Sequence, residues 1–232
     1  MNIVYCFDEN YYKYALDSAK SVKKYNKNAK FYFFCISELP KDDLIELGNV
    51  EIIKYDESEL AEFTKDLCGY KHVSKTCFVR FLVPKYLSFA DKALYLDCDT
   101  VCKGDISELY NADFENNYII GCRGIDYANK QAEELGIEYY INSGVMLFNI
   151  PKMNNENYLA QIKKSWRGCL GLPRVFSADE TIINYVFHKK IKLISEKYNY
   201  CYNRPYTGRE VAKEDVKIWH VTGSNKDNLK LC

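Results

Sequence analysis

The sequence has no excess charge of either sign, no long apolar run and no C-x-x-C pair. Its 32 Lys and Arg residues balance 32 Asp and Glu residues, so we expect no nucleic-acid partner, which a basic chain would attract. Nowhere do about 18 apolar residues run together, so no transmembrane segment is predicted. The composition, 47% hydrophobic and 28% charged over 232 residues, is typical of a globular chain rather than a disordered one.

Ten cysteines could indicate a disulfide framework, but their surroundings favour another interpretation. Five lie in or beside apolar runs: Cys6, Cys35, Cys98, Cys102 and Cys122. We interpret them as small buried hydrophobic side chains. The N-terminal segment carries Asp8 and Glu9 where a secretory signal needs uninterrupted apolar residues. We therefore expect a reducing, cytoplasmic setting.

Short apolar runs alternate with segments of helical periodicity through the first hundred residues. Strands are predicted at residues 3–7, 30–36, 50–54 and 92–96, and helices at 14–25 and about 37–48. This alternation predicts an α/β fold with a mainly parallel sheet, covered by helices on both faces. Ligands of such sheets bind outside the carboxyl ends of the strands.

The rest of the chain is predicted to continue with mixed elements. Residues 57–90 are expected to be helical, with Pro84 ending or kinking one helix. Residues 126–138 are polar and lack a core-forming period, so we expect a flexible flap there. Further strands are predicted at 118–122, 144–150, 191–194 and 216–220, and helices at 155–166 and 178–187.

The segment KALYLDCDT combines an apolar strand with two acidic residues. Successive strand side chains alternate between faces, so Asp97 and Asp99 should share one face while Cys98 points to the other. Two carboxylates that close together repel unless a cation lies between them. Hard oxygen ligands at a strand end suit Mg²⁺ or Mn²⁺. The alternative is a solvated strand end or turn without a metal.

His220 closes another apolar strand, in the segment IWHVTG. A neutral imidazole would complete a mixed oxygen and nitrogen ligand set, which favours Mn²⁺ over Mg²⁺. Gly223 allows backbone to approach a phosphate, and Lys226 supplies a positive charge for it. Taken alone, a single histidine at a strand end is more often structural.

Two further clusters of polar residues flank predicted elements. Asn142 and its small neighbours precede a buried strand, whereas Asp179 and Glu180 open a helix. The two acids either bind a ligand or complement the helix dipole, with Ser177 as the N-cap.

Asp8, Asn10 and Tyr11 follow the first strand at its carboxyl end. Tyr11 could stack on a nucleobase there. Alternatively, Asp8 or Asn10 only caps the first helix.

Together these segments resemble glycosyltransferase family 8. This family of retaining GT-A enzymes includes bacterial lipopolysaccharide galactosyl- and glucosyltransferases and, more distantly, glycogenin. The resemblance covers essentially the whole chain and is carried by MNIVYCFDENYYKYALDSAKS, KALYLDCDTVCKGDISELY, YINSGVMLFNI, ADETIIN and WHVTGSNK. It implies a single Rossmann-like GT-A domain over residues 1–232. Residues 1–104 would form the nucleotide-binding part, and 105–232 the sugar and acceptor part.

The resemblance also implies roles for particular residues. Asp97, Asp99 and His220 would hold Mn²⁺, with Mg²⁺ as the alternative. Nucleotide-sugar contacts are implied for Asp8, Asn10, Tyr11, Val73, Arg80, Asp97, Cys98, Asp126, Gly223 and Lys226. Catalytic roles are implied for Asn142, Asp179 and Glu180, the last lying where the family commonly has Gln. Lys226 is followed by Asp227 and Asn228, where the family usually has Pro and Trp.

The implied activity is Mn²⁺-dependent transfer of glucose or galactose from a UDP-hexose donor, with retention of configuration. The acceptor would be a glycan, free or lipid-linked, in lipopolysaccharide, lipooligosaccharide or surface glycan synthesis. The setting would be the cytoplasm or the inner face of the membrane, through peripheral contact. One alternative is a glycogenin-like priming protein that glycosylates one of its 21 tyrosines, and another is a silent carbohydrate-binding module. A sugar nucleotidyltransferase is disfavoured because no Gly-rich loop follows the first strand.

Overall fold

The computed structural model describes residues 1–66, 74–169, 177–202 and 211–222. The strands are β1 (Asn2–Cys6), β2 (Lys30–Phe34), β3 (Val50–Ile53), β4 (Lys92–Leu96), β5 (Thr100–Cys102), β6 (Ile119–Arg123), β7 (Ile141–Asn149), β8 (Ile191–Ile194), β9 (Tyr200–Cys201) and β10 (Ile218–His220). The α-helices are α1 (Tyr12–Tyr25), α2 (Lys41–Ile45), α3 (Ala61–Asp66), α4 (Val83–Tyr86), α5 (Ser107–Tyr110), α6 (Asp126–Leu135), α7 (Ile150–Asn155), α8 (Tyr158–Ser165) and α9 (Ala178–Phe187). Short 3-10 helices span Glu9–Tyr11, Glu57–Leu60, Lys75–Leu82, Trp166–Cys169, His188–Lys190, Glu196–Tyr198 and Lys213–Asp215.

Within these ranges, seven strands form a central sheet in the order β3-β2-β1-β4-β7-β6-β8. β1 pairs in parallel with β2 and β4, β2 with β3, and β6 with β8. A smaller sheet has the order β5-β10-β9. The prediction of an α/β fold with a mainly parallel sheet is confirmed.

The central sheet separates two apolar layers. Val4 and Tyr32 point into one layer, whereas Ile3 and Phe31 point into the other, because successive strand side chains alternate between faces. Strands that are buried on both sides need an almost continuous apolar sequence, and this is why the strand segments were recognisable.

β7 is the exception to the parallel arrangement, and it shapes the functional edge of the sheet. It runs antiparallel to β4, with Leu96 opposite Val145. The beginning of β7 therefore lies beside the end of β4, and the Asp97 N–H donates to the Gly144 carbonyl at 2.8 Å. Residues far apart in sequence thus meet at one edge.

Pro84 lies where one helix ends and the next begins, in line with the prediction that it ends or kinks a helix, because the 3-10 helix Lys75–Leu82 stops just before it. It lies in the first turn of α4. A proline lacks the N–H that a first-turn residue would leave unbonded, and its fixed φ suits this position. The described part of residues 57–90 contains four short helical pieces, two of them 3-10 helices.

The polar stretch predicted as a flexible flap contains α6. Ala128, Gln131 and Ala132 are buried, and Leu135 packs against the same cluster. These residues recur at helical spacing, but small alanines and a glutamine do not register as a core-forming pattern. Gly136, at φ 65°, ends the helix.

The interpretation of the cysteines as buried free thiols holds for the described residues. Eight described cysteines are free, seven of them buried and Cys77 half-buried. Among the helices that the structure describes, none combines the length and the apolar composition needed to cross a bilayer.

Candidate active site

Asp97, Asp99 and His220 converge at the edge where β4 ends. The Nε2 atom of His220 lies 3.2 Å from Asp99 Oδ1 and 3.6 Å from Asp97 Oδ2. One ligand atom from each residue lies within 4.8 Å of the others. β10 delivers the histidine by pairing with β5, so that His220 lies opposite Thr100.

The local conformation of the two aspartates differs from the prediction. β4 ends at Leu96, and Asp97 and Asp99 lie in a turn, closed by the Thr100 N–H bonded to the Asp97 carbonyl at 3.2 Å. Strand alternation therefore does not bring the carboxylates together. Instead, the turn presents both of them to the imidazole.

The donor set fits a divalent cation. Two carboxylates and one imidazole suit Mn²⁺ or Mg²⁺. Asp99 is 8% exposed and His220 only 3%, which does not fit a solvated strand end. Burial alone would lower the pKa of His220, but the Asp99 carboxylate raises it well above its usual value, as expected where carboxylates concentrate negative charge.

Gly144 leaves the space that the imidazole needs. A Cβ atom at this position would lie 2.2 Å from His220 Cε1 and 2.9 Å from Asp97 Oδ2. The side chain of any other residue would collide with the ring. Within the Asn-Ser-Gly segment predicted as a site element, position 144 must therefore be glycine.

Arg80 connects the acidic turn to the start of α9. Its Nη2 atom lies 3.0 Å from Asp97 Oδ1, and its Nε atom lies 3.0 Å from Asp179 Oδ2. The Nη1 atom donates to the Ser143 carbonyl and hydroxyl at 3.0 and 2.9 Å. The guanidinium also lies over the Tyr95 ring, 4.5 Å from its centroid. These contacts hold the Asp97 and Asp179 carboxylates in place and balance the buried positive charge of Arg80.

Asp179 and Glu180 do more than complement a helix dipole. Ser177 occupies the N-cap position of α9, as predicted, but its side chain makes no capping bond and instead accepts from Gln131. The Thr181 hydroxyl accepts a hydrogen bond from the Ser177 N–H at 2.9 Å. Burial raises the pKa of Asp179, although Arg80 opposes the shift.

Glu180 is surrounded by hydrogen-bond donors. Oε1 accepts from the Tyr127 hydroxyl at 3.0 Å. Oε2 accepts from Asn142 Nδ2 at 2.8 Å and from the Ser143 N–H at 2.9 Å. Burial nevertheless raises the pKa of Glu180 to about 7, and the neighbouring Asp179 charge adds to the shift.

This pKa gives a testable dependence of stability on pH. The unfolded chain releases the Glu180 proton from about pH 4.5 and the folded chain only near pH 7, so the stability conferred by the retained proton is complete below this range and lost above it. In Glu180→Gln the amide oxygen can accept from Ser143 while the NH₂ group donates to Tyr127. We expect the unfolding free energy of the variant, relative to wild type, to rise by about 3 kcal/mol between about pH 4 and about pH 8, measured by urea titration. Glu133→Gln, at an exposed position on α6, is the matched control, and an unchanged difference at both pH values would contradict the assignment.

Two adjoining cavities flank Arg80. One, of about 370 Å³, is lined by Asp8, Tyr11 and Cys98 among others. The second, of about 410 Å³, is lined by Tyr127, Asn142 and Glu180 among others. Both are also lined by Arg80, Asp97, Ser177 and Asp179. The arrangement can hold a two-part ligand across the acidic turn.

The residues after β1 have local structural roles as well. The Asp8 side chain accepts from the Asn10 N–H at 3.1 Å and so caps the 3-10 helix that precedes α1, whereas the capping alternative had placed it on α1 itself, which has no side-chain cap. Asp8 also accepts from Ser74 at 3.3 Å. Tyr11 is 41% exposed beside the cavity, whereas Asn10 is exposed and is not among the residues that line it.

Four predicted site residues are not placed by side-chain geometry. Val73, Gly223 and Lys226 lie outside the described residues. Asp126 begins α6, and only its backbone is described. Conversely, Tyr127 and Asn199 contact the site but were not predicted. Neither carries a sequence signal of its own, since a tyrosine in a polar stretch and an asparagine in a Tyr/Asn-rich loop are both common.

Comparisons with known proteins agree with this geometry. The family model described as Glycosyl transferase family 8 matches residues 2–227. The chain is 28% identical to a Haemophilus influenzae glycosyltransferase, over 100% of this chain and 74% of that protein. It is 28% identical to a lipopolysaccharide 1,2-glucosyltransferase of Escherichia coli, over 97% of this chain and 72% of that protein. The crystal structure of the galactosyltransferase LgtC with donor and acceptor sugar analogues matches with a TM-score of 0.82 at 19% identity, covering 100% of this chain and 94% of that one. This likeness shows a GT-A fold.

Proposed function

The chain belongs to glycosyl transferase family 8, and on that premise we propose that it is a retaining hexosyltransferase that uses a UDP-sugar. The donor sugar is glucose or galactose, and the acceptor is a glycan. The observation that carries this proposal is the convergence of Asp97, Asp99 and His220, with Asp97 lining both of two adjoining cavities and Asp99 lining the first.

Asp97, Asp99 and His220 are the residues that would hold Mn²⁺. When bound, this cation supplies positive charge that offsets the negative charge developing on the diphosphate leaving group. A phosphate leaving group of this kind needs no carboxylic acid to protonate it, unlike the alkoxide of a glycosidase. This agrees with a site whose described acids are held by donors and by Arg80.

The remaining site residues divide between the two cavities. Asp8, Tyr11 and Cys98 border the cavity proposed for uridine. Asp179 and Glu180, at the boundary with the second cavity, are proposed to bind the hexose and face its anomeric carbon.

Asn142 and Ser143 restrain Glu180 Oε2. A carboxylate fixed in this way stabilises positive charge on the sugar without moving.

The acceptor proposed is a lipopolysaccharide or another surface glycan. Its support is the name of the Escherichia coli relative, a lipopolysaccharide glucosyltransferase. A cytoplasmic setting is also proposed, and the eight free cysteines among the described residues accord with a reducing compartment.

A donor screen tests the function. The protein is incubated with Mn²⁺ and UDP-glucose, UDP-galactose or their N-acetyl forms, and UDP release is measured. We expect one hexose donor to be hydrolysed or transferred faster than the others, and addition of chelator to stop the reaction. Absence of UDP release with every donor would contradict the proposal and favour a silent binding module.

Intact mass spectrometry distinguishes the alternative of self-glycosylation. We expect no hexose increments on the protein after incubation with the preferred donor. Increments of one or more hexose units would instead indicate a glycogenin-like priming protein.

A further inference from the structure

Asn199 lies directly behind the imidazole of His220. It is 4% exposed and follows the 3-10 helix Glu196–Tyr198, immediately before β9. Its Oδ1 atom lies 2.8 Å from His220 Nδ1. We infer that Asn199 is a positioning residue that fixes the imidazole tautomer, with the hydrogen on Nδ1 and the lone pair of Nε2 directed at the two aspartates. This inference rests on the proposed function of the site.

The direction of the hydrogen bonds begins at a group that cannot be reversed. The Gly144 N–H donates to Asn142 Oδ1 at 3.1 Å. A backbone N–H can only donate, so this atom of Asn142 must be the oxygen. The Asn142 Nδ2 atom then donates to Glu180 at 2.8 Å, as its contact with a carboxylate requires.

The orientation of Asn142 determines that of Asn199. Asn199 Nδ2 lies 2.8 Å from Asn142 Oδ1 and must donate to it. Reversing the Asn199 amide would place two oxygens at this distance. The Asn199 oxygen therefore faces His220 Nδ1.

The histidine tautomer follows from the Asn199 oxygen. An oxygen that only accepts requires a hydrogen on Nδ1. In the neutral ring the lone pair is then on Nε2, the atom that faces Asp99 at 3.2 Å and Asp97 at 3.6 Å. Gly144 lies against the ring beside Cε1, so closely that a Cβ atom on residue 144 would not fit. A metal-binding histidine commonly donates its other N–H in this way, and removal of such a partner weakens metal binding by about 10- to 100-fold.

The same bonds connect the metal-binding and sugar-binding parts of the site. His220, Asn199, Asn142 and Glu180 form one continuous series of hydrogen bonds. Asn199 therefore holds the imidazole in register with the carboxylate proposed to face the sugar.

The test compares three variants of Asn199 and one control variant, all in the full chain. Asn199→Leu and Asn199→Ala remove the acceptor from His220, whereas Asn199→Asp retains an oxygen that accepts from Nδ1. Asn26→Ala removes another buried asparagine, which bonds Val22 and Ile106 away from this network, and controls for the loss of buried polar contacts. Mn²⁺ binding is measured by electron paramagnetic resonance of the free ion, and folding by thermal unfolding.

We expect Mn²⁺ affinity to fall by about 10- to 100-fold in Asn199→Leu and Asn199→Ala, and to stay within about threefold of wild type in Asn26→Ala. We expect a smaller fall in Asn199→Asp, which keeps the acceptor for Nδ1 but loses the donor to Asn142 Oδ1. Unchanged affinity in folded Asn199→Leu or Asn199→Ala would overturn the inference. Failure of the proposed function has a different result, because wild type would then bind Mn²⁺ no better than His220→Ala.

A second readout needs no metal. The sequence has three histidines, so ¹⁵N-histidine spectra are simple, and the His220 signals are those missing from His220→Gln. The readout is the Nδ1–H proton, which the Asn199 oxygen requires whether or not Nε2 also carries a hydrogen. We expect this proton to be hydrogen-bonded and shifted downfield in wild type and in Asn199→Asp, and to lose that shift in Asn199→Leu and Asn199→Ala. Absence of an Nδ1–H signal in wild type, or the same shift in all four proteins, would overturn the inference even if no metal binds.

Discussion

The Asp99→Asn enzyme is expected to lose about a thousandfold or more of its cation-dependent turnover while it remains folded. Asp99 Oδ1 lies 3.2 Å from His220 Nε2, nearer than Asp97 Oδ2 at 3.6 Å. An amide of the same shape keeps the volume but removes the negative charge that attracts a divalent cation. The variant should remain folded, because removing one of two mutually repelling carboxylates offsets part of the stability lost with the attraction between Asp99 and His220.

Asp99 is a better position for this test than Asp97. The Asp97 carboxylate also bonds Arg80 at 3.0 Å and the Tyr95 hydroxyl at 2.6 Å, so its replacement would disturb structure as well as charge. Asp105→Asn, at an exposed acid that caps a nearby turn, is the matched control. UDP release and thermal unfolding are the measurements. Wild-type turnover in folded Asp99→Asn would remove Asp99 from the proposed metal site.

Gly144→Ala is expected to weaken Mn²⁺ binding by about a hundredfold or more, because a displaced imidazole costs at least as much as the loss of its supporting partner. The added Cβ would lie 2.2 Å from His220 Cε1 and 2.7 Å from Nδ1. The ring is rigid and the strands are paired, so the collision can be relieved only by displacing the His220 imidazole. Overpacking should also lower the unfolding free energy by about 1–3 kcal/mol.

Gly121→Ala separates the two effects in the Gly144 prediction. Gly121 lies on β6, and an added Cβ there would meet Ile141 Cδ1 at 2.8 Å, the end of a side chain that can change rotamer. We expect a comparable or smaller loss of stability with unchanged Mn²⁺ affinity, measured by urea unfolding and electron paramagnetic resonance. Equal Mn²⁺ affinity in the two glycine variants would show that Gly144 has no steric role at His220.

The sheet and much of its edge were predictable because strands buried on both faces carry continuous apolar runs. Lys92–Leu96 ends at the aspartates, and Ile218–His220 ends at the histidine, so strand ends marked the candidate ligands before any contact was known. The carboxyl ends of β1 and β4 meet at one edge because these strands are parallel, whereas His220 reaches that edge from the smaller sheet, through the antiparallel pairing of β10 with β5.

Two features depended on tertiary contacts that local patterns do not encode. The two aspartates occupy a turn whose geometry follows from pairing with Gly144, not from strand alternation. The contribution of β7 to the site follows from its antiparallel insertion beside β4.

Asn199 shows the same limit for a single side chain. Its importance arises from bonds to two residues that are 57 and 21 positions away. Composition and periodicity report burial, but they do not report which buried amide faces which ring.

Crystals soaked with Mn²⁺ and UDP test the central claim most directly, through the anomalous signal of manganese. The account predicts one strong peak bounded by the Asp97 and Asp99 carboxylates and His220 Nε2, with the imidazole still bonded to Asn199. A peak elsewhere, no peak, or an imidazole rotated away from both aspartates would contradict it.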